Sequence, residues 1–279
     1  MTTATPPPPQ PDPYPRAIAV EDPADPRLAD YRHLKDRDLS SEGGRFIAES
    51  EGVVRRLLSS GLVVHSVLVT PTRLASLAPA LGPVTCPVYV AQQVLLSEIA
   101  GFPVHRGCLA VGERPAPHPL AADARALLVL EDLVDADNLG ASVRNAAAFG
   151  VDALMLSPRC ADPFYRKAIR VAIGATFTLP VIRATRWPQD LLALKEQGFT
   201  VLGAALGPPA TPLASLPRPT KFALLLGSEG PGLTRGARNA CDELLTIPMA
   251  PGADSLNVAT AGAVALFHLQ QAAARAPAR

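Results

Sequence analysis

Residues 126–149 read ALLVLEDLVDADNLGASVRNAAAF. Five apolar residues, 126–130, lead into a polar turn and then into small and apolar residues at helical spacing that end at Phe149. An apolar run this short predicts a strand buried on both faces, and the segment after it predicts a helix capped by Asp137 or Asn138. A strand feeding directly into a helix is the repeating unit of a parallel sheet. The same pattern recurs at 153–156, 179–182, 200–204, 222–226 and 244–247, with helices of ten or more residues expected between most of these strands. Residues 124–279 are therefore expected to be α/β, a mostly parallel sheet with helices on both faces.

Upstream, apolar runs at 46–48, 63–69, 88–90 and 107–111 alternate with helical patterns at 49–60, 73–81 and 92–99. They predict a smaller α/β domain over residues 28–114. PAPHPLAAD, residues 115–123, is proline-punctuated and poor in large apolar side chains, which marks an interdomain linker. Residues 1–27 hold a proline-dense stretch without apolar periodicity and are expected to form a flexible tail.

The 279 residues suffice for two domains, each with its own core. An apolar share of 48% and a charged share of 18% describe a soluble globular chain. No run nears the roughly eighteen apolar residues of a membrane span, and no signal peptide opens the chain, so a cytoplasmic location is expected. The four cysteines and five histidines are scattered, without C-x-x-C or ligand spacing, which argues against a metal site. A net charge of +1 leaves any binding of nucleic acid to local patches.

In parallel sheets ligands gather beyond the carboxyl ends of strands, so three strand ends carry the functional reading. After 126–130, Asn138 and Arg144 stand six residues apart, which on one straight helix is ~600°, or directions about 120° apart. Asn138 is accordingly expected in the loop before the helix, with Arg144 one to two turns later. Gly140 and Ala141 keep the segment slim for a ligand or a neighbouring backbone. After 222–226 comes GSEGPGLTRG, whose Gly227, Gly230 and Gly232 bare the backbone around Glu229. The loop lacks the G-K-[ST] ending of a phosphate loop, and Gly236 arrives one residue late for G-x-G-x-x-G. After 244–247, PMAPGADSLN precedes a long terminal helix with Ser255 or Asp254 as its expected cap, and Asn257 stands just inside the first turn as a poor helix former. Taken singly, each of these segments also reads as an ordinary cap or turn.

Together, NLGASVRNA at 138–146, LLGSEGPGL at 225–233 and IPM-x5-SLNV at 247–258 resemble, in order and spacing, the motifs of the SpoU/TrmH family of RNA 2′-O-ribose methyltransferases. R-x-A-x-G-A-x-F-x-L-P at 170–180 resembles a fourth, with Ala172 where serine is usual, and RFIAESEGVVRRLLSSG at 45–61 is similar to the small substrate-binding domain of many members. The resemblance implies a C-terminal trefoil knot, S-adenosyl-L-methionine as cofactor, RNA (rRNA or tRNA) as substrate and a homodimer whose subunits combine at the site. It transfers catalytic roles to Asn138, Arg144, Glu229, Ser255 and Asn257, and cofactor binding to Gly227, Ile247, Met249 and Leu256. A guanidinium stays protonated at neutral pH, so Arg144 is expected to grip a phosphate and stabilise a developing alkoxide rather than act as a base. Arg166 and Arg170 on one helix face, and Arg45 with Arg55 and Arg56 in the first domain, are candidate RNA contacts, each equally readable as a solvated stripe. The competing functions are a non-catalytic RNA-binding protein on the same fold and a dinucleotide enzyme built on the glycine turn.

Overall fold

The computed structural model describes residues 14, 16–32, 34, 44–117 and 119–270. The chain forms two compact units, Met1–Glu113 and Arg114–Arg279.

In the first unit, strands β1 (Ile18–Ala19), β2 (Arg45–Glu49), β3 (Val64–Val69), β4 (Val88–Val90) and β5 (Cys108–Glu113) form a sheet in the order β1-β4-β3-β5-β2. β1, β4 and β3 run parallel, while β5 runs antiparallel to both β3 and β2. Helices α1 (Glu51–Ser59), α2 (Pro71–Leu81) and α3 (Gln93–Ala100) connect the strands. The flexible tail expected over 1–27 does not extend that far. Ile18 pairs with Tyr89 and Ala19 with Val90, and a 3-10 turn at Pro26–Tyr31 buries Leu28 and Tyr31, whose hydroxyl meets Ser66 Oγ at 2.8 Å. A two-residue strand beside a proline-dense stretch leaves no periodicity to read. Residues 1–13, which hold the proline run, lie outside the described residues.

The second unit is a seven-stranded sheet, all of whose pairings are parallel. Its elements are β6 (Ala126–Leu130), α4 (Ala136–Ala148), β7 (Ala153–Leu156), α5 (Arg166–Val171), β8 (Val181–Arg183), α6 (Gln189–Glu196), β9 (Thr200–Ala204), β10 (Thr211–Pro212), β11 (Phe222–Leu226), α7 (Arg235–Ala240), β12 (Glu243–Thr246) and α8 (Val258–Gln270). The order is β10-β12-β9-β11-β6-β7-β8. Alternate residues of each strand feed separate cores. Leu128, Leu130, Leu154, Leu224 and Leu226 pack with Leu139 and Val143 of α4 and with Leu266 and Leu269 of α8. Leu127, Val129, Met155, Val201 and Leu225 pack with Leu191 and Leu194 of α6 and with Ala237 of α7. The parallel sheet covered on both faces is thus as expected. The intervening helices are shorter than the apolar pattern suggested: α5, α6 and α7 have 6, 8 and 6 residues, against 13 in α4 and α8. Caps and turns in those connections replace helix that spacing alone allows.

β11 lies between β6 and β9, so the strand order reverses there. Such a reversal opens a crevice beyond the strand ends. Among the described residues no helix is long and apolar enough to cross a membrane.

Candidate active site

Beyond the carboxyl ends of β9, β11 and β12 lies a cavity of about 580 Å³. Gly227, Glu229, Ile247, Met249, Ser255, Leu256 and Asn257, all singled out from sequence, line it, together with Ala204, Leu226 and Val258.

The glycine loop after β11 closes on itself, with Gly232 N–H donating to Ser228 C=O at 3.0 Å. A Cβ on Gly227 would lie 2.3 Å from the Gly232 carbonyl carbon and 2.5 Å from Leu233 N. Glycine is therefore required at 227 by the turn, while Gly230 at φ +83° and Gly232 at φ +68° occupy the left-handed region. Behind the loop, Glu131 at the end of β6 is fully buried and accepts from Thr234 N (2.8 Å), Thr234 Oγ1 (2.7 Å) and Trp187 Nε1 (2.6 Å). Thr234 Oγ1 also caps α7 through Ala237 N. A buried carboxylate is costly unless it is hydrogen-bonded, and these three donors engage both of its oxygens. Glu131 carries no signal in the sequence, because neither its burial nor its partners, 56 and 103 residues away, are visible in a local pattern.

The start of α4 differs from expectation. Asp135, not Asp137 or Asn138, is the N-cap, accepting from Asn138 N at 2.8 Å, so Asn138 sits inside the first turn rather than in the loop. The cap of α8 also shifts: Asn257, not Ser255 or Asp254, accepts from Ala259 N (3.0 Å) and Thr260 N (3.3 Å) through its Oδ1. That role explains the poor helix former, because asparagine is a favoured N-cap. Its other amide atom serves the site. Asn257 Nδ2 donates to Asn138 Oδ1 (2.7 Å) and Glu229 Oε1 (3.2 Å), and Asn138 Nδ2 donates to Glu229 Oε1 (2.7 Å). Three motifs spread over 119 residues thereby meet in one exposed polar network.

Ser255 lines the cavity without a hydrogen bond to any described residue. Leu256 is 39% exposed there, an apolar side chain left open to solvent. Arg144 is not among the lining residues: it is exposed on α4, its side chain without an ion pair or hydrogen bond to the described residues. The slim segment at Gly140 serves helix packing, since a Cβ there would lie 2.6 Å from Ala168 C=O of α5.

The basic candidates differ among themselves. Arg170 is exposed at the end of α5 and Arg166 is half-buried. Lys167 pairs with Asp137 at 2.7 Å, a contact that raises its pKa. In the first unit Arg45 pairs with Asp30 at 2.5 Å, and Arg55 with Glu51 at 2.8 Å. At the end of β6, Asp132 holds φ +54° and is lowered in pKa by the hydrogen bond from Arg159, with Ser157 adding to it. Among the described residues no group of three or more His, Cys, Asp or Glu side chains is placed to hold a metal ion.

Parallel topology, a glycine-loop cavity and an amide–carboxylate network define a ligand-binding α/β domain. Residues 125–267 match the model of the SpoU rRNA Methylase family, and the chain belongs to that family. It is 42% identical over 259 residues to a Mycobacterium tuberculosis protein described as an uncharacterized tRNA/rRNA methyltransferase, covering 88% of this chain and 89% of that one. It is 31% identical to the Bacillus subtilis 23S rRNA (guanosine(2553)-2′-O)-methyltransferase RlmP, covering 90% and 98%. In fold it resembles the AdoMet-bound rRNA methyltransferase from Sinorhizobium meliloti, with a TM-score of 0.79 and 23% identity over 92% of this chain and 98% of that one.

Proposed function

We propose that the chain is an S-adenosylmethionine-dependent methyltransferase acting on a ribose 2′-hydroxyl in structured RNA, with 23S rRNA the first candidate because RlmP carries that activity in its name. The observation that carries this reading is the Asn138–Glu229–Asn257 network beside the cavity.

The cavity suits the cofactor. Its volume lies within the roughly 300–1,000 Å³ of small-molecule sites. Leu226, Ile247, Met249 and Leu256 offer apolar surface for a flat base, and the glycine loop offers backbone donors and acceptors. When bound, S-adenosylmethionine supplies a methyl group activated by a sulfonium. The chain's own part is to hold the acceptor oxygen in line and manage its proton. Glu229, fixed by two amides, is positioned to receive that proton directly or through water, and the amides keep its carboxylate from turning away. Arg144 grips the neighbouring phosphate and stabilises the charge that develops on oxygen. Ser255, unpartnered at the cavity wall, supplies a further hydrogen bond to the bound molecules. Arg170, Arg166 and Arg45 contribute phosphate contacts, which makes RNA binding weaken with salt.

The reading includes the trefoil knot and the homodimer that family resemblance implies. The first rests on the order and spacing of the three C-terminal motifs. Two observations support the second: Arg144 does not line the cavity of its own chain, and Val264 and Phe267 on α8 are 41% and 55% exposed. The test is incubation of the protein with labelled S-adenosylmethionine and cellular RNA, followed by mapping of 2′-O-methylated positions. Absence of label in every RNA fraction would refute the proposal.

A further inference from the structure

One cationic side chain of the cavity has no part in the transfer just described. Arg238, in the last turn of α7, lines the cavity and is half-buried. Its guanidinium makes no hydrogen bond or ion pair with any described residue, although Asp254 and Glu229 line the same space. Glu229 is engaged by Asn138 and Asn257. A guanidinium carries five N–H donors in a rigid fork. Left partly buried and unfilled in a cavity that Ala204, Leu206 and Leu245 also line, it forms a prepared seat for a planar anion.

The parts of S-adenosylmethionine differ in charge. The adenine and ribose are neutral, the sulfonium and ammonium are positive, and the α-carboxylate is the sole anion. An arginine in the wall therefore attracts one end of the molecule and repels the reactive centre. We propose that Arg238 binds the α-carboxylate of the cofactor's amino-acid moiety and thereby sets which way round the cofactor enters the cavity. This rests on the reading of the cavity as an S-adenosylmethionine site. Arg238 touches the cofactor and not the acceptor, so it acts in binding and orientation.

The experiment is calorimetric titration of the full chain, as wild type, Arg238→Gln and Arg238→Lys, with S-adenosylhomocysteine and with 5′-methylthioadenosine, which lacks the amino-acid moiety. Loss of a charge-assisted pair is expected to weaken S-adenosylhomocysteine about ten- to hundredfold in Arg238→Gln and less in Arg238→Lys. Affinity for 5′-methylthioadenosine stays unchanged, which also shows that the variant is folded. Equal weakening of both ligands, or of neither, overturns the assignment while leaving the cofactor site standing. A wild-type chain that binds neither ligand overturns the cofactor reading and Arg238 with it. Unchanged binding of both ligands, with weaker retention of RNA on a filter, gives Arg238 to the RNA and also overturns the proposal.

Discussion

Arg144 and Asn257 divide the work of the site in ways that substitutions can separate. The exposed Arg144 side chain makes no hydrogen bond or ion pair with the described residues, so Arg144→Ala is expected to leave the fold standing. Transfer is expected to fall by about 10²–10³, the cost of losing one electrostatic stabiliser of a transition state. S-adenosylhomocysteine affinity stays unchanged, as paired steady-state kinetics and calorimetry would show, and normal turnover in this variant would end the role given to Arg144. Asn257 is bound to both the helix and the network. Asn257→Ala is expected to lose about 1 kcal/mol through the cap and transfer as well, whereas Asn257→Ser keeps an N-cap oxygen and regains stability without transfer. Thermal melts run beside methylation assays distinguish the two, and recovery of both properties by serine would make Asn257 a structural residue only.

At the level of elements, α4 and α5 pack so closely that helix propensity and packing oppose each other. Alanine is about 1 kcal/mol better than glycine within a helix. At Gly140, however, the added methyl would meet backbone, at 2.6 Å from Ala168 C=O, and overpacking of this kind costs about 1–3 kcal/mol. Gly140→Ala is therefore expected to lower the urea midpoint, and a raised midpoint would mean that α5 moves aside freely. This conflict bears on what the sequence shows. β6, β7 and β11 are apolar throughout and β9 nearly so because both faces are covered, so these four strands are legible from the sequence almost to the residue. The caps are not, since Asp135, Asp137 and Asn138 offer similar oxygens and the choice depends on where β6 releases the chain. Glu131 was equally hidden, because its meaning lies in Trp187 and Thr234, which only the tertiary fold brings near.

For the whole molecule, each unit hides a thiol. Burial pushes Cys108 in the first unit and Cys241 in the second up to about 12, from an ordinary value of 9.0. A raised folded pKa contributes stability that is complete below the unfolded value and declines as pH climbs towards the folded one. Urea midpoints are therefore expected to fall from about pH 9 upward. Replacing both cysteines by alanine should flatten that slope, and an unaltered slope would assign it elsewhere. Light scattering checks the proposed homodimer: Phe267→Glu on α8 is expected to halve the particle mass and abolish transfer while sparing the fold. A wild-type chain that is monomeric when active would exclude the dimer.

The dual duty of Asn257 reaches beyond these tests. One amide both starts α8 and holds Glu229, so a copy of this gene released from selection for methylation would still be selected at that codon simply to keep its last helix capped. Decay of the enzyme should therefore begin at residues such as Arg144 and Ser255, whose loss leaves folding intact, and reach Asn257 late.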